Sequence, residues 1–202
     1  MRKRITGIAL VAAATILAFQ PSPQQEEIQP RIKLYQDENL VSTSLKGEEL
    51  VMPTGQIPVT LVDTIDGDTI KIRVQGKNET VRYLLIDTPE SKKPKMCVQP
   101  YAKESFLRND ELVKSGALTM EMEQENRRDS YGRLVAYVYV DGQSVQETLL
   151  KEGYARVGYI MNPPYKYLTL YREDEKLAKR SKLNIWSQPD FVTQWGFNGC
   201  VP

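Results

Sequence analysis

Asp66-Gly67-Asp68-Thr69-Ile70-Lys71-Ile72-Arg73-Val74 and, one return of the chain later, Arg82-Tyr83-Leu84-Leu85-Ile86-Asp87-Thr88-Pro89-Glu90 decide how this sequence folds. Side chains alternate faces along a strand, so Ile70, Ile72 and Val74 share one face while Lys71, Arg73 and Gln75 share the other. Residues 81–86 read as the returning strand. Asp66-Gly67 is a hairpin-turn signal, and Thr88-Pro89 imposes an extended or turn conformation where the second strand stops. Asp68 and Asp87 are therefore expected at the ends of neighbouring strands, with Glu90 on the loop beyond.

Three converging carboxylates repel one another unless a cation neutralises them or their pKa values rise. Carboxylate and carbonyl oxygens are hard ligands, which favours calcium or magnesium over zinc. Each fragment also has a plainer reading. Asp-Gly-Asp is most often a turn, and Asp-Thr-Pro-Glu is a common loop with a helix cap. Arg82 can pair with Asp87 across a strand end, and Arg133 can pair with Asp129.

Working outward, 202 residues leave room for one domain of about 130 residues plus tails. The formal charge is +1, and Arg2, Lys3 and Arg4 more than account for it, so the remainder is no polybasic coat. An anionic partner must be held by locally placed cations. The chain has no histidine. That excludes Ser-His-Asp triads, Cys-His nucleophile pairs, histidine-metal nucleases and histidine-rich zinc sites. General acid–base work falls to Asp, Glu, Lys or Tyr, or to a metal ion.

Residues 1–19 join a basic start to an apolar run ending at Phe19, too short to span a bilayer comfortably. They read as an export signal or, because no clean cleavage site follows, a short membrane tether through residues 5–19. Residues 20–53 are rich in Pro, Gln, Glu and Ser and read as a polar linker. The folded part begins with a strand over 57–65. After the basic loop Lys92-Lys93-Pro94-Lys95-Met96-Cys97, the spacing predicts a helix over 101–114 with Gly116 at its C-cap. Strands over 117–125 and 134–140 follow, then a helix over 145–152 ended by Gly153 and a last helix over 165–182. Leu168, Tyr171, Glu175 and Ala178 are expected on one side of that last helix. This order matches an α+β fold: a five-stranded OB-fold β-barrel with three packed helices. Residues 54–188 form the expected catalytic domain, and 189–202 an aromatic tail.

These motifs, with Asp129-Ser130-Tyr131-Gly132-Arg133 and Lys182-Leu183-Asn184-Ile185-Trp186-Ser187, closely resemble the staphylococcal nuclease (thermonuclease, micrococcal nuclease) family over residues 55–188. The resemblance implies calcium-dependent, sequence-nonspecific hydrolysis of DNA and RNA, preferentially unpaired, to 3′-phosphate ends. It implies that Asp68, Asp87 and the Thr88 carbonyl hold Ca2+, and that Arg82 and Arg133 grip the scissile phosphate. By the same resemblance Glu90 would orient or deprotonate the attacking water, and Tyr131 and Tyr159 would lie against the nucleotide. Ser130 and Met96 stand where the family has lysines, and Met161 where it has a second tyrosine, which weakens substrate contacts rather than chemistry. The physics agrees, because a divalent ion and two planar guanidinium groups suit the charge that accumulates on a phosphate under attack.

Export favours oxidation, so Cys97 and Cys200 are expected to form a disulfide that draws the tail towards the active-site loop. A monomer without protein partners is expected. The alternatives are a catalytically silent module that binds nucleic acid and a cell-surface interaction protein that uses the aromatic tail.

Overall fold

The computed structural model describes residues 55–91, 97–125, 127–161 and 163–201. The expected export signal, the linker and Met96 lie outside these residues. Among the described residues no helix is long and apolar enough to cross a membrane.

Five strands close a barrel: β1 (Ile57–Asp66), β2 (Thr69–Val74), β3 (Lys77–Tyr83), β4 (Leu118–Glu121) and β5 (Leu134–Val140). Neighbours are antiparallel except at the seam, where β3 and β5 run parallel with Val81 opposite Leu134. β1 serves two neighbours, β4 along its first residues and β2 along the rest. Register shifts between Leu61 and Asp63 and between Thr64 and Asp66 give it the extra bend that closure requires. The inward face is apolar as the period of two requires: Ile70, Ile72, Val74, Val81, Met120, Leu134, Ala136 and Val138 are all buried. Helices α1 (Ala102–Lys114), α2 (Val145–Lys151) and α3 (Leu168–Arg180) pack outside. The fold is thus α+β, an OB-type barrel with three helices.

Several boundaries differ from expectation for local reasons. β3 stops at Tyr83 because Leu85 takes a left-handed backbone (φ 64°), and Ile86–Asp87 then pairs with Arg156–Val157 instead of extending β3. The C-cap of α1 is Ser115, not Gly116. Gly116 serves a close approach, since a Cβ there would lie 2.0 Å from the Asp141 carboxylate, which accepts a hydrogen bond from the Ala117 amide. β4 is shorter than expected. α3 begins only at Leu168, because Tyr165 and Tyr167 pack on the core ahead of it, and its buried acidic residue is Asp174 rather than Glu175.

Candidate active site

The β1–β2 turn carries the first acidic residues. At Gly67 a Cβ would lie 2.6 Å from Thr88 Oγ1 and 2.9 Å from Ser105 Cβ, so only glycine lets this turn close on the Thr88 loop. The Asp68 amide donates to Asp66 Oδ1 (3.1 Å), and the Tyr83 amide donates to the Asp68 carbonyl (2.9 Å). Helix α1 braces the turn through Asn109. Its side chain donates to the Asp66 carbonyl and accepts from the Tyr83 hydroxyl, each at 2.8 Å. Sequence reasoning missed Asn109, which sits in an ordinary helical stretch far from both partners.

Register brings the charges together. Thr69 lies opposite Arg82, so the Arg82 guanidinium reaches the turn and bridges Asp68 Oδ2 (2.7 Å) and Asp87 Oδ1 (3.4 Å). The Thr88 amide also donates to Asp68 Oδ2 (2.9 Å). Asp68, Arg82, Asp87 and Thr88 are all buried. Burial and then the Asp68 charge push the Asp66 carboxyl up to about 7, and the same two causes raise Asp87 despite Arg82 and Arg156. Burial opposes the Arg82 charge, but Asp68 and Asp87 outweigh it and hold the guanidinium above its usual pKa. Carboxylate is therefore in excess over cation here.

Arg156, also missed, donates from Nε to Asp87 Oδ2 (2.9 Å). The pairing of Ile86–Asp87 with Arg156–Val157 places it, and neither residue range carries a sequence signal for that contact.

Arg133 stands on a loop folded around Asp129. One carboxylate oxygen accepts from the Tyr131 and Arg133 amides (2.9 and 3.0 Å), and the other accepts from Arg133 Nε (2.7 Å). Arg128 fastens this loop to β3 with a two-pronged pair to Glu79, both contacts at 2.9 Å. A cavity of about 350 Å3 opens between these elements, lined by Arg82, Arg133, Tyr131, Tyr159 and Met161 among others. The Tyr159 ring lies 4.9 Å from the Arg82 guanidinium carbon, and the Tyr131 ring 5.4 Å from that of Arg133. Both rings are exposed, Tyr131 at 84% and Tyr159 at 59%, so each can cover an arginine and still offer a face to a ligand. Ser130 and Met161 line the same cavity. Arg82 and Arg133 thus line one cavity, while each also keeps the plainer carboxylate pairing that its sequence neighbours suggested.

Glu90 is partly buried beyond Asp87, its amide donating to Gln99 Oε1 (2.8 Å). Cys97 and Cys200 are joined by a disulfide, with Cα atoms 5.5 Å apart.

The donor set suits a hard cation. Asp66, Asp68 and Asp87 supply only oxygen, three carboxyl groups beside the two guanidinium groups of Arg82 and Arg156. Among the described residues no ready cage of three or more His, Cys, Asp or Glu side chains exists. An ion here would complete its shell with backbone oxygen and water, as calcium with about six to eight oxygen ligands commonly does.

Residues 80–188 match the family model described as staphylococcal nuclease homologue. The chain is 61% identical over 145 residues to endonuclease YncB of Bacillus subtilis (strain 168), covering 72% of this chain and 69% of that protein. It is 59% identical over 145 residues to the SPbeta prophage-derived endonuclease YokF of the same strain, where the match spans about half of the relative, 49%. The thermonuclease of Staphylococcus intermedius is 32% identical over 189 residues, 93% of this chain and 100% of that one. With a family model matched over more than half of its length and relatives of this likeness, the chain belongs to the staphylococcal nuclease homologue family.

Proposed function

We propose that this protein is a calcium-dependent endonuclease that hydrolyses phosphodiester bonds in DNA and RNA without sequence preference, leaving 3′-phosphate ends. The observation that carries the reading is Arg82 bridging Asp68 and Asp87 at the wall of a cavity that also holds Arg133, Tyr131 and Tyr159. Family membership and relatives named endonuclease and thermonuclease support it.

Asp68, Asp87 and the Thr88 carbonyl would hold Ca2+. When bound, the ion supplies positive charge to the phosphate and to the carboxylates, leaving Arg82 donors for phosphate oxygens. Tyr131 and Tyr159 receive bases by stacking, which needs a π-face and no particular base. Unpaired strands present such faces, so single-stranded substrates are preferred. Arg82 and Arg133 then hold the non-bridging oxygens of the scissile phosphate from one wall, where charge grows as water attacks. Glu90 orients that water and accepts its proton, because no histidine exists to do so. The bond from phosphorus to the 5′ oxygen breaks, that oxygen takes a proton from solvent and leaves as a hydroxyl, and the phosphate stays on the 3′ side. The chain works as a monomer, exported or held at the membrane by residues 1–19.

The test is digestion of a labelled single-stranded oligonucleotide with calcium and with a chelator, followed by end-group analysis. Cleavage that stops with the chelator, returns with calcium and yields 3′-phosphates is expected. Cleavage indifferent to the chelator contradicts the metal assignment, and no cleavage favours a silent binding module.

A further inference from the structure

The catalytic reading leaves residues 188–201 unused, yet this segment returns to the back of the site and contacts it twice. Gln99 is 4% exposed. Its Oε1 accepts from the Glu90 amide (2.8 Å), the Gln99 backbone amide donates to the Glu90 carbonyl (3.0 Å), and the side-chain Nε2 donates to the Phe197 carbonyl in the tail (2.8 Å). Arg156, bonded to Asp87, donates from Nη1 to the tail carbonyls of Gln194 (3.2 Å) and Thr193 (3.5 Å) and lies under the Phe197 ring at 5.8 Å.

The tail is anchored at both ends. Phe191 is 4% exposed and packs on the rings of Tyr101 (5.9 Å) and Phe197 (5.4 Å). The Asn198 amide donates to the Phe191 carbonyl (2.8 Å). At the far end the Val201 amide donates to the Val98 carbonyl (2.8 Å), next to the Cys97–Cys200 bond.

We propose that the disulfide-anchored tail is a brace for the catalytic loop, and that Gln99 and Arg156 are positioning residues through which it holds Glu90 and Asp87. The proposal rests on the roles given above to Glu90 and Asp87. A buried side-chain amide bonded at both ends cannot rotate, so the Glu90 backbone is fixed relative to the tail rather than only to its own loop. A guanidinium that shares its donors between a carboxylate and two carbonyls is likewise held in one orientation. Reduction of the disulfide by a dithiol, which donates two electrons and two protons and becomes a disulfide itself, leaves one backbone hydrogen bond at that end. A single such bond has a small net strength, so the end of the tail frays, and Phe197 is held against Gln99 by its pairing with Val192 and the Phe191 ring, less firmly than before.

The test uses the full chain and has two arms. Hydrogen exchange at the Glu90 amide is compared between the oxidised protein and Cys200→Ser. The brace predicts protection lowered by about tenfold at Glu90 while barrel amides such as Ile72 keep theirs. Separately, kcat and KM on a single-stranded oligonucleotide are measured for Gln99→Met in the natural and the Glu90→Gln backgrounds. Loss of an outer partner of a catalytic group predicts a kcat lowered by about 10- to 100-fold, with KM little changed, in the natural background only. Unchanged Glu90 protection in Cys200→Ser overturns the brace. An equal rate loss in both backgrounds, or none in either, overturns the role of Gln99. An inactive natural protein refutes the nuclease reading, while the exchange arm still decides the brace.

Discussion

The task we propose for Arg82 and Arg133 is the same, but their surroundings differ, and their variants are expected to separate accordingly. Arg82 is locked between two buried carboxylates, so Arg82→Ala strands Asp68 and leaves Asp87 with Arg156 alone. Removing one partner of a buried ion pair costs roughly 3–5 kcal/mol, visible as a lower urea midpoint without calcium. Calcium then raises the melting temperature of Arg82→Ala more than that of the natural protein, because the uncompensated carboxylates gain more from the ion. The Arg133 side chain is 31% exposed, and among the described residues its ion pair is with Asp129. Arg133→Ala changes stability by less than about 1 kcal/mol. Its rate falls by about 100-fold or more, as when a preorganised donor to the transition state is lost, and single-turnover kinetics reads this directly. At this scale the sequence made the charged residues nameable through their motifs. Arg156, Gln99 and Asn109 were not legible, because each acts on a partner distant in the chain and none belongs to a motif.

The elements turn those residues into a site through close contacts that side-chain type alone does not announce. The approach of Gly67 to Thr88 joins the β1–β2 turn to the Asp87–Thr88 loop. Gly67→Ala adds a methyl group where the nearest atom would be 2.6 Å away, so the two acidic segments must part. We expect a loss of about 1–3 kcal/mol in stability, typical of overpacking, together with weaker calcium binding by titration calorimetry. Asn109→Leu leaves the Asp66 carbonyl and Tyr83 hydroxyl without their partner and costs about 1–3 kcal/mol in a urea melt. Alternation of Ile70, Ile72 and Val74 made β2 readable, and β5 is bounded as its apolar run suggests. The end of β3 was not readable, because the left-handed turn at Leu85 uses a residue with no special preference for it. The role of Gly116 was misread for a related reason: a glycine near a helix end signals a cap, whereas here it makes room for Asp141.

For the whole molecule, strand order and helix placement made the barrel legible, since few closed folds accommodate three strands, a helix, two strands and two helices. How the tail closes over the Gln99 and Arg156 side was not legible, as it depends on tertiary contacts of Phe191 and Phe197. Export, which we propose for residues 1–19, is checked by the N-terminus of protein recovered from an expressing cell. A start within residues 20–54 in the medium supports a cleaved signal, an intact leader in the membrane fraction supports a tether, and full-length protein in the cytosol contradicts both. The central claim is that strand-end oxygens and two guanidinium groups act together on one phosphate. Single-turnover cleavage of a single-stranded oligonucleotide, followed as calcium is titrated for the natural chain, Asp87→Asn and Arg133→Ala, tests it most directly. The account predicts saturable calcium activation for the natural chain, a calcium midpoint shifted to higher concentration in Asp87→Asn, and a lower plateau at a nearly unchanged midpoint in Arg133→Ala. Calcium-independent cleavage, or three superimposable curves, would contradict it.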